Sequence, residues 1–216
     1  MKPPAIAARD MIHICAQGAL GTLLADAPGQ PFVSAIEFAP DADNAPIFLV
    51  SRLAEHTRNL ERDPRASLLL TAAPGEGGLL AQARMTIVGE ARRFDAGVEL
   101  IARFLRYQPD AERYLALGDF GFFRLHATRA RVIGGFGSMG WLGGEALAPP
   151  SPLSPEFEAN LLASVEQQGV SSLRVLGVDR EGVDLLRDGQ RERRRFPALL
   201  TDTHARDGLR AALAEA

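Results

Sequence analysis

The sequence contains little of what several large protein classes require. Its single cysteine, Cys15, excludes an internal disulfide framework and any metal site built from several thiolates. Cys15 lies in an apolar stretch, so we expect a buried structural thiol. Lysine and arginine number 24 against 27 acidic residues, which gives a formal net charge of -3. This balance argues against a dedicated nucleic-acid-binding protein.

Long apolar runs and paired metal ligands are also missing. No segment has the roughly 18 consecutive apolar residues that span a bilayer, and Arg9 and Asp10 interrupt the apolar beginning where a signal peptide needs a continuous centre. We therefore expect a cytoplasmic protein with no membrane partner. No two histidines have the i, i+4 spacing of a helical metal site, so no metal site is predicted. The four histidines are His13, His56, His126 and His204.

The apolar residues that are present predict strands joined by tight turns. They make up 46% of the chain, enough for a buried core. A short amphipathic helix over residues 5–15 precedes a hairpin whose turn is Ala27-Pro28-Gly29-Gln30. Antiparallel strands with only short helices between them favour a β-barrel over a doubly wound parallel sheet. The predicted strands cover residues 19–25, 32–38, 47–50, 67–71, 80–90 and 120–133.

A second, smaller unit follows a stretch rich in glycine and proline. Residues 143–155 are typical of a linker, and Ser154-Pro155-Glu156 is typical of a helix start. Further on, a hairpin and a terminal helix complete a small α+β unit. The predicted fold class is therefore α+β, with a barrel domain over residues 1–145 and a C-terminal domain over residues 152–216.

Two conspicuous motifs favour ordinary structural interpretations. Residues 135–140 match a dinucleotide-binding glycine fingerprint, but the residues after them cannot form the helix that such a site needs. A loop that approaches a ligand or another chain is the better interpretation. The run Arg191-Glu192-Arg193-Arg194-Arg195 is interpreted as a solvated strand or loop face, because acidic residues surround it.

The segment from Ser51 to Asn59 carries the clearest hint of a binding site. It follows a predicted strand and opens a helix through residue 60, with Ser51 as the predicted N-cap. Free backbone amides, a hydroxyl group and the guanidinium of Arg52 can converge there on one anion. A solvated helix with a capping serine explains the same residues, and their spacing does not decide between the two.

Three stretches together resemble the pyridoxamine-phosphate-oxidase-like split barrels, particularly the branch related to haem-utilisation proteins. They are residues 21–34, 50–68 and 118–137, and the second is the most specific, with its His-Thr-Arg-Asn and Asp-Pro-Arg-Ala-Ser-Leu strings. The C-terminal unit is similar to the domain that follows the barrel in this branch. It departs from the branch after Asn160, where Leu161-Leu162-Ala163 stands in place of the usual Asp-His.

The resemblance implies a homodimer with two ligand sites at the junction of its barrels. In flavin-binding relatives the FMN phosphate meets the serine and arginine of the strand-to-helix junction, with further contacts from the opposite hairpin, the following helix and the fifth strand. At the second strand the chain has a serine where the full oxidases place an arginine. The implied cofactor-binding residues are Ser34, Ala35, Ser51, Arg52, Thr57 and Arg84.

Three functional hypotheses follow, and no catalytic residue is assigned in any of them. The first is an FMN-binding oxidoreductase-like protein in which the flavin carries the chemistry. The second is a haem-binding or haem-degrading protein of the same fold, which needs an axial ligand. His204 is the first candidate and His126 the second, whereas His13 is expected to be packed and hydrogen-bonded. The third is a dimeric binding module without a cofactor, which Ser34 favours.

Overall fold

The computed structural model describes residues 4–73, 82–134, 139–166 and 174–214. Two short 3-10 helices, Pro109–Ala111 and Gly144–Leu147, accompany the main elements. The helices are α1 Pro4–Ile14, α2 Glu55–Arg62, α3 Val98–Tyr107, α4 Glu112–Leu115, α5 Pro155–Glu166 and α6 Ala205–Ala214. The strands are β1 Gln17–Leu23, β2 Pro31–Glu37, β3 Ala39–Pro40, β4 Pro46–Ser51, β5 Arg65–Thr71, β6 Arg84–Phe94, β7 Phe120–Ile133, β8 Met139–Gly143, β9 Arg174–Val178, β10 Gly182–Arg187 and β11 Gln190–Arg195.

Eight strands form the curled antiparallel sheet that the turn pattern predicts. Their order is β2-β1-β5-β6-β7-β4-β3, and β8 pairs with β7. Alternate residues of β6 point into the core, where Met85 and Ile87 are fully buried. A bulge follows Val88, and a side chain at Gly89 would meet the carbonyl oxygen of His126 at 1.9 Å. The fold class is α+β, as predicted.

A second sheet, in the order β11-β10-β9, packs against α5 and α6. Its core contains Leu161, Val183, Leu185 and Leu209. The hairpin around Asp179–Gly182 and the two flanking helices agree with the sequence pattern. The predicted division of the chain into two domains stays a prediction, since a further core cluster joins Phe104 of the barrel side to residues of β9 and β10.

The predicted linker is a packed segment. Gly144–Leu147 forms a 3-10 helix whose Gly144 lies so close to Ala127 that a Cβ atom would meet its carbonyl oxygen at 2.0 Å. Leu147 is buried in the barrel core, and Leu153 is buried in the core of the C-terminal unit. Glycine is required here by close packing and not by flexibility. Residues 135–138 of the glycine-rich motif lie outside the described residues.

The prediction that the arginine run is solvated is wrong. Arg191 is buried, and the side chain of Arg193 is only 2% exposed. Arg193 donates to Asp184 at 2.6 Å and to Asp179 at 2.7 Å. Arg195 pairs with Asp10 at 3.0 Å. These acidic partners lie 9 to 185 positions away in sequence, so the pairing forms only in the folded protein.

Two buried groups lie where the sequence predicts them. His13 packs with its Nδ1 atom 2.6 Å from Asp184 and its Nε2 atom 3.0 Å from Oδ1 of Asn44. Cys15 is buried, and desolvation raises the pKa of its thiol to about 11. Among the described residues, no helix combines the length and the apolar character that crossing a membrane requires.

Candidate functional site

Ser51 is the last residue of β4 and not the cap of a helix. The helix α2 begins four residues later, after Ala54, which makes no side-chain cap. The Ser51 hydroxyl donates instead to Oδ2 of Asp119 at 2.6 Å and accepts from the amide of Leu53 at 3.1 Å. The predicted cap is therefore wrong, because a partner 68 positions away in sequence takes up the hydroxyl.

The other residues of this junction also satisfy one another. Thr57 is fully buried and donates its hydroxyl to the carbonyl oxygen of Ser51 at 2.7 Å. The Arg52 side chain is exposed, and its backbone amide donates to the carbonyl oxygen of Asp119 at 2.8 Å. A carboxylate thus stands beside the hydroxyl that a phosphate would need. Like charges at one point repel each other, so the junction is poorly suited to an anion.

Ser34 meets the histidine that the sequence left without a role. Its Oγ atom lies 3.0 Å from Nδ1 of His56, across the edge of a cleft of about 320 Å³. Burial lowers the pKa of His56, which keeps the imidazole neutral near pH 7. Ala35 and Ser51 line the same cleft. The structure therefore brings together four of the six predicted residues: Ser34, Ala35, Ser51 and Thr57. We call the group Ser34, Ser51, His56, Thr57 and Asp119 the barrel junction.

Arg84 lies far from the barrel junction within one chain. It begins β6 and pairs with Ile133 at the end of β7, whereas Ser51 pairs with Phe120 at the start of β7. Arg84 and Phe94 are the two ends of β6 and lie ten positions apart, a length of roughly 30 Å along the strand. Within one chain, Arg84 therefore does not take part in the site around Ser51.

A larger cleft of about 710 Å³ lies between β11, the segment that follows it and α6. We call it the C-terminal cleft. His204 lines it and is exposed, just before the first residue of α6. Its Nδ1 atom lies 3.1 Å from the hydroxyl of Thr201 and 3.0 Å from that of Thr203. The volume is within the range of about 300–1,000 Å³ that is usual for cofactor sites.

The walls of the C-terminal cleft combine apolar surface with three charged side chains, Arg194, Arg195 and Asp207. Phe196 and Leu200 are buried beneath it, and Leu199 is exposed. Arg194 donates to the carbonyl oxygen of Ala212 at 3.4 Å, and no carboxylate pairs with it in the part of the chain that the structure describes. Sequence reasoning missed Arg194 because it treated the whole run as solvated. The apolar residues 196–200 after the run were the available signal.

No group of three or more histidine, cysteine or acidic side chains capable of holding a metal ion occurs among the described residues. One imidazole with a free ring nitrogen is nevertheless enough for a haem iron, because the porphyrin itself supplies the four equatorial nitrogens. Within the described residues, Nε2 of His204 makes no hydrogen bond. The C-terminal cleft can therefore offer one axial nitrogen.

Comparison with known proteins places the chain in a family. The sequence profile described as "CREG, beta-barrel" matches residues 1–147. The chain belongs to the CREG β-barrel family. A solved structure described as a heme binding protein from Mycobacterium smegmatis is 31% identical, with a TM-score of 0.64, and the match covers 100% of this chain and 96% of that one. A protein of unknown function from Agrobacterium tumefaciens shares the fold at 24% identity, with a TM-score of 0.77 and coverage of 100% and 98%.

Two curated relatives are named as haem oxygenases. The non-canonical heme oxygenase HOZ of Arabidopsis thaliana chloroplasts is 34% identical over 120 residues, which are 55% of this chain and 36% of that protein. The heme oxygenase HutZ of Vibrio cholerae is 29% identical over 128 residues, 56% of this chain and 72% of that protein. The chain thus matches just over a third of the Arabidopsis protein. These relatives confirm the predicted resemblance to the haem-utilisation branch.

Proposed function

We propose that this protein binds haem in the C-terminal cleft, with Nε2 of His204 as an axial ligand of the iron. The observation that carries the proposal is the make-up of that cleft: apolar walls, one arginine with no carboxylate partner among the described residues, and one imidazole held through its other nitrogen. A porphyrin needs apolar contact for its faces, a base for its iron and cations for its propionates.

The residues of the cleft fit this division of roles. The hydroxyls of Thr201 and Thr203 lie within hydrogen-bond distance of Nδ1, and in the tautomer whose Nδ1–H donates to them Nε2 is the basic nitrogen. Arg194 provides a charge-assisted contact for a propionate. Leu199 provides apolar surface that would otherwise face water, and the buried Phe196 also lines the cleft. When bound, the iron supplies the redox chemistry and the chain supplies its ligand and orientation.

The relatives support the haem hypothesis over the FMN hypothesis. A protein described as haem-binding matches the full length of this chain, and both curated relatives are named as haem oxygenases. At the barrel junction, in contrast, the Ser51 hydroxyl that is expected to bind the FMN phosphate donates its hydrogen bond to the Asp119 carboxylate. Haem therefore agrees better with the charges of this chain.

Titration of the purified protein with ferric haem tests the proposal. We expect a Soret band and the spectrum of a histidine-ligated ferric haem, and we expect His204→Ala to lose that signature. His126→Ala is the matched control, because His126 is also exposed but lies on β7, away from the cleft. An unchanged spectrum in the His204 variant together with a loss in the His126 variant would place the ligand on the barrel instead.

Haem degradation is a second candidate function, and the names of the two curated relatives favour it. The measurement is the fate of the haem complex in air with ascorbate as electron donor and catalase present to remove free peroxide. Loss of the Soret band with formation of a bilin and release of iron supports an oxygenase. A stable Soret band would leave the protein as a haem carrier.

We also infer that the working form is a homodimer that pairs through the outer face of the barrel sheet. This outer face holds four exposed apolar residues. Two of them, Val33 and Trp141, are 64% and 53% exposed; the others are Leu69 and Met139. Residues that pair across neighbouring strands share one face of the sheet. Leu69 pairs with Thr86, Thr86 with Arg131, and Arg131 with Trp141. Val33 joins this face because it pairs with Gly21, which pairs with Ser67, two residues before Leu69. Clustered apolar surface of this kind favours association.

Light scattering tests the dimer. We expect the wild-type protein to be dimeric at micromolar concentration and Val33→Glu to shift it to a monomer, because a charge would be buried in the interface. Leu117→Glu is the control, since Leu117 is equally exposed but lies in the turn before β7. A monomeric wild-type protein would contradict the inference.

A further inference from the structure

Backbone hydrogen bonds tie the segment that carries His204 to the turn between β9 and β10. In residues 196–204, the amide of Phe196 donates to the carbonyl oxygen of Glu181 at 2.9 Å, and the amide of Leu200 donates to that of Arg180 at 2.9 Å. Both acceptors belong to the turn between β9 and β10. Since the carbonyl oxygen of His204 accepts from the amide of Gly208 at 2.9 Å, the position of His204 depends on this turn together with α6.

The side chain of Arg180 makes two further contacts with the segment. Its Nη1 atom donates to the carbonyl oxygen of Leu200 at 2.8 Å, and its Nη2 atom lies 2.8 Å from Oδ1 of Asp202. The Arg180 side chain is only 19% exposed, whereas that of Asp202 is largely exposed. One guanidinium thus spans the residues immediately before the histidine.

Asp202 is two residues from His204, and hydrogen bonds join the residues around it to the imidazole. The amide of His204 donates to the carbonyl oxygen of Thr201 at 3.1 Å, and its Nδ1 atom contacts the Thr201 and Thr203 hydroxyls. A displacement at Leu200 or Asp202 is therefore passed on to the ring. Leu200 is itself a core residue, which fixes the other end of the contact.

We infer that Arg180 is the positioning residue for His204 and that it sets the place of Nε2 in the C-terminal cleft without touching the ligand. This inference rests on the proposed haem site. The planar guanidinium offers donors in two directions at once, as the carbonyl of Leu200 and the carboxylate of Asp202 require. A lysine ammonium at the same place is a point donor on a flexible stem and cannot hold the same two-way geometry.

The turn that carries Arg180 is a firm support for this role. The carboxylate of Glu181 accepts two hydrogen bonds from Arg9 of α1, each at 2.7 Å. The carboxylate of Asp179 accepts from the amides of Glu181 and Gly182 at 2.7 and 2.9 Å. The turn that holds the His204 segment is therefore itself fixed to α1.

Three variants and one control test the inference: Arg180→Met, Arg180→Lys, Asp202→Asn and, as control, Arg206→Ala on the exposed side of α6. The first readout is amide hydrogen exchange over residues 197–204 in the haem-free protein. The second is the rate at which ferric haem leaves for apomyoglobin. We expect Arg180→Met to speed both amide exchange and haem release by about tenfold, because one charge-assisted contact is lost. Arg180→Lys is expected to fall between Met and wild type, and Arg206→Ala to match wild type.

The two readouts separate this inference from the haem proposal. Exchange in Arg180→Met that equals wild type overturns the positioning role, even if His204→Ala shows that His204 binds the iron. Faster exchange with an unchanged spectrum in His204→Ala supports the tether and overturns the haem ligand. If Arg180→Met fails to fold, Asp202→Asn decides, because Asp202 lies at the exposed end of the contact, and an unchanged exchange rate there overturns the inference.

Discussion

The barrel junction and the C-terminal cleft use arginine in opposite ways. At the barrel junction, Arg52 is exposed and the nearby hydroxyl of Ser51 is bound to Asp119. In the C-terminal cleft, Arg194 belongs to a run of basic residues and yet lacks a carboxylate partner among the described residues. At the barrel junction a ligand anion would meet the negative charge of Asp119 beside Ser51, whereas no carboxylate among the described residues pairs with the arginine of the C-terminal cleft.

Strand alternation explains why Arg194 differs from its neighbours. Successive side chains of β11 point to opposite faces. Arg191, Arg193 and Arg195 face the barrel side and contact Cys15, Asp184 and Asp10, respectively. Arg194 faces the other way, toward the last turn of α6, and lines the cleft. One strand therefore contributes both an ion-pair network and a candidate ligand-binding cation.

The largest expected effect is on stability, from Arg193→Ala. This change leaves Asp184 and Asp179 buried with less positive charge, and breaking a buried pair in this way costs about 3–5 kcal/mol. Arg52→Ala, at the barrel junction, is expected to change the free energy of unfolding by no more than about 0.5 kcal/mol. Urea unfolding of both variants measures the difference. Equal midpoints would mean that the network contributes no net stability.

Acid is expected to weaken the same network. Burial raises the pKa of Asp184, but His13 and Arg193 outweigh it and hold that pKa well below its ordinary value. A carboxylate with a depressed pKa in the folded state contributes stability above its ordinary pKa near 4, and this contribution is lost as the pH falls. The slope approaches about 1.4 kcal/mol per pH unit for one proton taken up.

Urea unfolding from about pH 6 to about pH 3 measures this loss. Asp184→Asn is the matched variant: it is expected to be less stable near pH 6 but to lose less stability on acidification. Wild type and variant with the same slope below pH 4 would show that Asp184 is not the group that titrates.

The third effect separates the two arginines as ligand-binding groups. If the propionate of a bound haem meets Arg194, Arg194→Ala removes a charge-assisted contact worth roughly 1.5–3 kcal/mol and weakens haem affinity about tenfold or more. Arg52→Ala is the matched control and is expected to leave haem affinity unchanged. Haem titrations of both variants decide, and an equal loss in both would remove the C-terminal cleft from the haem site.

The parts of the fold that sequence reasoning predicted depend on local patterns. Alternating apolar residues and the turn at residues 27–30 are enough for the barrel strands, and the apolar surroundings are enough for Cys15. The wrong predictions concern polar groups whose partners are distant in sequence. The hydroxyl of Ser51 binds Asp119, and Arg195 binds Asp10, which is 185 positions away. No single-sequence pattern reveals such a pairing.

The smallest effect concerns the barrel junction alone. Asp119→Asn keeps an oxygen that can accept from the Ser51 hydroxyl at the same distance, but it removes the negative charge beside it. If that charge is what keeps anions away, the variant is expected to bind FMN a few-fold more tightly than wild type, because the repulsion between carboxylate and phosphate is gone.

Flavin fluorescence measures the affinity. The charge-matched control is Asp110→Asn, which changes an exposed acid beyond α3. A similar gain in both variants would mean that net charge alone governs FMN binding. No gain in either would mean that the junction lacks the contacts for a phosphate even without the acid.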